Sequence, residues 1–274
     1  MVSFIFFLHH ILLKFIFAKK QRMSISALVI TFNEEKNIGK CVEALFEICD
    51  EVIVVDSYST DNTLKIAAEN GAKVLSQTFL GDGPQRTFGI PYCKNDWILN
   101  LDADEFLDKD SLVFMKNKTF VNDSFDAYSF RVKNFLQNKV IDFAGWYPDY
   151  KIRFFNKKTA SPSDDKVHQK IIATNIKKLK THILHYGSHS FFQIIAKKNQ
   201  YAKWNAEQLY DAGRRVNSLK PIINGLVSFV RCYLFKKGIV NGIDGLTISL
   251  TQGYFSYIKY ANLLQIQKER KKLK

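Results

Sequence analysis

From Ser26 onward the chain alternates short, densely apolar runs with segments whose apolar residues recur every three or four positions. ALVIT (27–31), EVIVVD (51–56), AKVLS (72–76) and WILNLD (97–102) are β-branched and aliphatic runs of strand length. Between the first two, Ile38, Cys41, Val42, Leu45, Phe46 and Cys49 keep helical spacing, with Asn33 as the expected N-cap. STDNT (59–63) supplies capping residues for a second helix through 64–70, which Gly71 is placed to end. Strands this apolar, separated by helices, predict an α/β fold with a parallel sheet covered on both faces. Ligands of such sheets bind beyond the carboxyl ends of the strands. TFNEE (31–35), DSYSTD (56–61) and DADE (102–105) all fall at those ends, so one shared site is expected there.

Past about residue 125 the pattern changes. FDAYSFRVKNFL (125–136) and YKIRFFN (150–156) read as antiparallel strands joined through GWYPD (145–149), and SDDKVHQKI (163–171) reads as a polar loop. From HILHYGSHSFFQ (182–193) onward helices are expected to dominate, ending in a tail that mixes aromatic and aliphatic residues with Lys and Arg. The expected organisation is a catalytic domain over 23–213, with halves 23–125 and 126–213, and a basic amphipathic helical tail over 214–274. The apolar and basic stretch 1–22 is interrupted by His9, His10 and Lys14 and is short for a spanning helix. It reads either as an interfacial anchor or as sequence ahead of a start at Met23.

Charge sharpens this picture. The 274 residues carry a net charge of +14, but unevenly: residues 23–150 hold 12 Lys+Arg against 20 Asp+Glu, and residues 151–274 hold 24 against 6. An acidic first half followed by a basic second half points to an anionic partner. No recognition helix or RNA-stacking motif accompanies the charge, so nucleic acid is not expected. The four cysteines show no metal-ligand spacing and read as reduced core thiols.

The chemistry concentrates at Asp102-Ala103-Asp104-Glu105. Like charges this close repel, and a strand end makes their desolvation worse, so something positive should sit among them. Two carboxylates there suit a hard divalent cation, Mg²⁺ or Mn²⁺, able to bridge a diphosphate. The plainer reading is a solvated acidic turn or helix N-terminus. Asp56 could accept from a nucleobase or ribose, Asp61 could be a cap or a ligand contact, and Arg86 follows GDGP, a flexible stretch able to bring a guanidinium to phosphate. His182, His185 and His189 keep spacings compatible with helical metal ligands, but without an accompanying carboxylate cluster they read as core or acceptor-contacting residues. Trp146 and Tyr147 could stack on a sugar or belong to the core.

ALVITFNEEKNIGKCVEAL (27–45), EVIVVDSYSTDNT (51–63), GDGPQR (81–86) and WILNLDADEFL (97–107) resemble, in order and spacing, the inverting glycosyltransferases of family 2. GWYPDYKIRFF (145–155), SDDKVHQK (163–170) and ILHY (183–186) resemble the branch holding bacterial lipopolysaccharide core β-1,4-glucosyltransferases. The resemblance spans most of residues 24–265. It implies a GT-A, Rossmann-like fold, a UDP-sugar donor, a lipid-linked saccharide acceptor and a divalent metal. By position, Thr31, Asn33, Glu34 and Asp56 would line the nucleotide pocket, Asp102 would approach ribose or donor sugar, and Asp104 would bind the metal. Inversion in one displacement needs a base facing away from the leaving diphosphate. The 161–170 segment is its expected source, through Asp165, Asp164 or His168, although these could simply keep a loop soluble. The family pattern has an acid directly after this His, and Gln169 departs from it. The basic, aromatic tail would associate with the inner-membrane surface from the cytoplasmic side. Two other classes stay open at this level: a phosphoryl-transfer enzyme, whose D-x-D usually follows the first strand rather than the fourth, and a non-enzymatic basic binding protein.

Overall fold

The computed structural model describes residues 24–118, 120, 123–136, 139–163, 170–188 and 190–272. The apolar stretch 1–22 and the base candidates Asp164, Asp165 and His168 lie outside these residues, as does His189. The four expected strands form as β1 (Ile25–Thr31), β2 (Glu51–Asp56), β3 (Lys73–Ser76) and β4 (Trp97–Asp102), side by side and parallel in the order β3-β2-β1-β4. Their register matters for the site. Thr31 pairs with Asp56, Asp56 with Ser76, and Ile30 with Asp102, so the polar strand ends form one row along the sheet edge.

The sheet then continues with β8 (Asp149–Asn156) antiparallel to β4, β6 (Ala127–Leu136) antiparallel to β8, and β11 (Ile176–Ser188) parallel to β6. β5 (Glu105–Leu107) closes the far edge against β11, and β7 (Lys139–Ile141) pairs with β6. One sheet therefore runs across the change of pattern at residue 125. A separate ribbon joins β9 (Ser161–Pro162) to β10 (Ile171–Ile172).

The continuous apolarity of the central strands has a direct cause. Alternate residues face opposite ways, and both faces are buried. Ile25, Ala27, Val29, Val52, Val54, Leu99 and Leu101 enter one cluster, whereas Leu28, Ile53, Val55 and Ile98 enter another. The first face is covered by α1 (Ile38–Phe46), α2 (Thr63–Glu69) and α4 (Lys109–Asn117), which contribute Val42, Ala67 and Met115. The second is covered in part by α3 (Asp82–Gly89), which packs on β1 and β2. There a Cβ on Gly89 would run into Leu28 Cδ1 and come within 2.8 Å of Val55 Cγ2. Only a bare backbone lets the helix lie this close.

Four local expectations are corrected. The N-cap of α1 is Asn37, not Asn33, because Asn33 takes a left-handed conformation (φ 54°) and its side chain turns to the neighbouring loop. Cys49 lies beyond the helix end, although it is buried in the same cluster, and all four cysteines are buried and free. GDGPQR is not a flexible stretch but most of α3. HILHYGS belongs to β11, not to a helix: Leu179 and Ile183 are buried, and pairing to β6 and β5 supplies the partners that a helix would have provided internally.

Helices take over from α5 (Phe191–Asp211), capped by Ser190 Oγ accepting from Gln193 N (3.3 Å). α6 (Leu219–Val230) and α7 (Gly242–Lys272) follow as a hairpin, with α5 packed along α7. No helix among the described residues is long and apolar enough to cross a membrane.

Gly89→Ala is expected to destabilise the fold by about 1–3 kcal/mol, since extra volume enters a filled helix–sheet contact. Urea denaturation measures this, and an unchanged midpoint would show that α3 is free to shift.

Candidate active site

The loops that follow β1 and β2 are zipped to each other above the sheet edge. Asn33 N donates to Ser59 Oγ (2.8 Å), and Thr60 N donates to Asn33 Oδ1 (2.8 Å). Glu34 N donates to Thr63 Oγ1 (2.8 Å) and Glu35 N to Asp61 Oδ2 (3.2 Å). Asp56, fully buried, accepts from both the backbone N (2.8 Å) and the hydroxyl (2.5 Å) of Ser59. Asp61 also accepts from Thr63 Oγ1 (2.5 Å) and Thr63 N (3.0 Å), and these bonds, the hydroxyl's first, hold its carboxyl below the usual range against what burial it has. Asn33, Asp56 and Asp61 thus brace one wall.

A cavity of about 970 Å³ opens beside that wall, over the strand row. Its floor is Thr31, Asp102, Ala103 and Asp104; Glu34 lines the braced side. Lys151 and Arg153 reach it from β8, two apart and therefore on one face of the strand, and His185 reaches it from β11. α5 closes the far side with Lys197, Gln200, Tyr201 and Trp204. Trp204 packs on Phe79 (ring centroids 5.9 Å apart), and Tyr201 Oη donates to Asp82 Oδ2 (3.3 Å). Of the residues expected to line a nucleotide pocket, Thr31, Glu34, Arg86 and Asp102 line this cavity. A cleft of this size accommodates a drug-sized or nucleotide-sized ligand.

The three clustered carboxylates have separate fates. Glu105, with no exposed surface, is paired to Arg153 Nη2 (2.5 Å). Asp102 has one oxygen on Arg86 and the other 3.2 Å from Arg153 Nη2. Burial opposes its charge, but the two guanidinium groups outweigh that and hold its carboxyl far below the usual range. Arg86, itself buried, is also bonded to Asn100 Oδ1. Its position is fixed inside α3 rather than delivered by a mobile loop.

Asp104 instead faces His185 Nε2 at 3.5 Å. Burial works against the Asp104 charge, and His185 outweighs it, so the carboxyl stays below its ordinary value. His185 Nδ1–H donates to Asn134 Oδ1 (2.7 Å). That bond leaves Nε2 either to carry a second proton toward Asp104 or to offer its lone pair to a cation between them. Asp102, Asp104 and His185 bring ligand atoms within 4.8 Å of one another; the carboxylates suit Mn²⁺ or Mg²⁺, and the imidazole nitrogen favours the transition metal of the two. Asp102 is already engaged by two arginines, so Asp104 and His185 are the better ligands. A Cβ on Gly187 would run into the His185 ring and come within 2.9 Å of Asp104 Oδ2; the chain passes the cluster at glycine.

His182, by contrast, is a tether. Its backbone N donates to Asp108 Oδ2 (3.0 Å), its Nδ1 meets the same oxygen, and its Nε2 meets Tyr147 Oη at 3.2 Å. Trp146 packs against a third apolar cluster that includes Phe143 and Ile248.

The model of glycosyl transferase family 2 matches residues 26–197, which contain every part of this cavity's floor and its braced wall. The chain belongs to glycosyltransferase family 2. An "uncharacterized glycosyltransferase" of Rickettsia bellii is 31% identical over 88% of this chain and 86% of its own length. The lipopolysaccharide core biosynthesis glycosyltransferase LpsC of Rhizobium meliloti is 27% identical over 89% of this chain and 93% of its own. A solved glucosyl-3-phosphoglycerate synthase of Mycobacterium tuberculosis, in complex with Mn²⁺ and UDP, is 25% identical over 44% of this chain and 46% of that one. Its TM-score of 0.34 is too low to carry anything across. Family and sheet together identify a GT-A glycosyltransferase with a helical C-terminal extension, a transferase that uses a nucleotide-sugar donor.

Sequence reasoning did not single out Lys151, Arg153 or the α5 residues Lys197, Gln200, Tyr201 and Trp204 of this glycosyltransferase site, and it weighed His185 as a metal ligand but read it as a core or acceptor-contacting residue. Arg153 and Lys151 had a signal, since alternate cationic positions in an apolar strand share a face. His185 had one only once its segment is read as strand.

Two consequences are measurable. Arg153→Met leaves Glu105 buried without its counter-charge and is expected to cost about 3–5 kcal/mol in urea unfolding. A loss under about 1 kcal/mol would show that the Arg153–Glu105 pair adds little to the stability of the fold. Glu34 has its pKa raised, mainly by burial and further by Asp104, against the opposing bond from Asn37. The folded state therefore binds that proton more tightly than the unfolded chain. Its stabilisation is complete below the unfolded value and is lost as pH rises through the folded one. In metal-free protein, Glu34→Gln should raise Tm at neutral pH, with the gain vanishing in acid; a lowered Tm at neutral pH contradicts this sign.

Proposed function

We propose that this glycosyltransferase moves a hexose, glucose in the first instance, from a UDP-sugar to a lipopolysaccharide core or related lipid-linked saccharide, with inversion. The observation that carries the reading is the partition of the DADE carboxylates: two are neutralised by Arg86 and Arg153, and Asp104 is left facing His185 at the cavity floor. Asp104 and His185 would hold Mg²⁺ or Mn²⁺, which when bound neutralises charge on a leaving diphosphate. Arg86, Lys151 and Lys197 surround the same space and favour an anionic donor. Thr31 Oγ1 is buried with no hydrogen-bond partner and lines the cavity, where a donor group would satisfy it. Asn33 and Asp56 would shape the nucleotide side through the braced loops.

The acceptor hydroxyl attacks the anomeric carbon as the bond to the diphosphate breaks, and its proton passes to a base. Asp165, Asp164 and His168 are the candidates for that base. LpsC, a relative along nearly its whole length, supports the core-saccharide class of acceptor. A lipid-linked acceptor used together with a nucleotide-sugar donor would put the reaction at the cytoplasmic face of the bacterial inner membrane.

UDP release is to be measured with UDP-glucose, Mn²⁺ and lipopolysaccharide core acceptor. Asp104→Ala should lower turnover by about 10²–10³-fold, the usual cost of losing a main stabiliser of developing charge. His185→Ala should weaken the Mn²⁺ dependence in parallel. Undiminished turnover in Asp104→Ala would remove the cation assignment, and release of a different nucleotide from a donor panel would replace UDP.

A further inference from the structure

α6 is amphipathic the wrong way round for a helix in water. Pro221, Gly225, Ser228 and Phe229 turn inward, where Gly225 lies against Tyr257 and Ser228 Oγ is 2.6 Å from Ser256 Oγ on α7. Leu219, Ile222, Ile223, Leu226, Val227 and Val230 fall on the outward side at three- and four-residue steps, each between 40% and 61% exposed. The stripe continues over the turn into α7, where Phe235 is 80%, Val240 74% and Ile243 73% exposed. An apolar surface this long on a folded chain marks a partner that is not water.

Charge says which partner. From Arg214 to Ile243 the chain has six Lys and Arg and no Asp or Glu, and Lys220, Arg231 and Lys237 are exposed beside the apolar stripe. A second copy would bring the same positive surface against this one. An anionic bilayer instead matches both features at once: acyl chains for the stripe, lipid phosphates for the cations. The turn is also firmly mounted. Ala144 N donates to Lys236 O (2.7 Å), and Cys232 and Ile248 share a buried cluster with Phe143 and Leu136 of the β6–β7 region. Lipid bound at the turn would therefore hold the sheet that carries His185.

We propose that the outward face of α6 and the 231–243 turn form a membrane-docking surface that inserts Phe235, Val240 and Ile243 into an anionic phospholipid leaflet. This deepens the membrane placement proposed above by naming the surface that makes it, and it is tested apart from catalysis, since no nucleotide or saccharide enters it; it needs no contribution from residues 1–22.

The test uses the full chain and vesicles of equal parts phosphatidylglycerol and phosphatidylcholine. Val240→Trp should gain fluorescence with these vesicles and be quenched by lipids brominated on their acyl chains, whereas Val113→Trp, on the exposed side of α4, should not. Phe235→Ser/Val240→Ser/Ile243→Ser should lower partition into the vesicles by at least about tenfold, as expected for three apolar side chains removed from lipid. Their far-ultraviolet circular dichroism should stay unchanged, because these side chains support no core. Charge reversal at Lys220, Arg231 and Lys237 should abolish the preference for phosphatidylglycerol over pure phosphatidylcholine. Equal quenching at both tryptophan positions, or undiminished binding by the triple variant, overturns the proposal. A fluorescence change at Val240→Trp that follows protein concentration without lipid also overturns it, in favour of self-association.

Discussion

The buried ion network of Arg86, Asp102, Arg153 and Glu105 is the constraint on which the site depends. It joins α3, the consecutive strands β4 and β5, and β8, which meet at one strand end from three parts of the chain. Two positive and two negative groups balance there, so the desolvation of each is offset by a partner within direct contact. Asp104 is the surplus charge. Its nearest ionisable partner is a histidine that can yield its Nε2 to a cation, and this is what turns an acidic strand end into a place for metal and diphosphate. Without the arginines, three carboxylates would share one buried corner and at least one would take up a proton.

The rest of the cavity is built to hold that corner still while leaving space above it. The loops after β1 and β2 cross-bond through Asn33, Ser59, Asp61 and Thr63, so the braced wall is stiff without being packed. The opposite wall is α5, whose Tyr201 and Trp204 reach across to Asp82 and Phe79. Glu34 sits between them at a cost: burial and the nearby Asp104 raise its pKa, a disfavoured charge of the kind found where a ligand is to be bound. The two ends of the chain divide the work by charge, with the acidic half supplying the floor and the basic half supplying cations around its rim and an apolar, positive outer face.

Much of this was legible beforehand. β2 and β4 occupy their expected ranges residue for residue, because strands buried on both faces must be apolar throughout and polar residues must stop them. The parallel direction of the strands, though not their order, followed from the intervening helices, and the convergence of TFNEE, DSYSTD and DADE followed from a general property of parallel sheets. The errors were also local in kind. Asn33 has the residue type of a cap, but its left-handed backbone directs its side chain to another loop. HILHYGS has histidines at helical spacing, yet an available edge on β6 made it a strand.

What the sequence determined by itself was the family, the layered α/β plan and the edge at which chemistry would gather, since periodicity and strand-end polarity are local properties of the chain. Which carboxylate remains available could not be read from DADE alone. That depends on register across β4, β8 and β11, which sets Arg153 against Glu105 and His185 against Asp104 at sequence separations of 48 and 81 residues. The same holds for the outward apolar face of α6. Its pattern shows an amphipathic helix, but only packing on α7 decided that the small residues turn inward and the large apolar ones meet the surroundings.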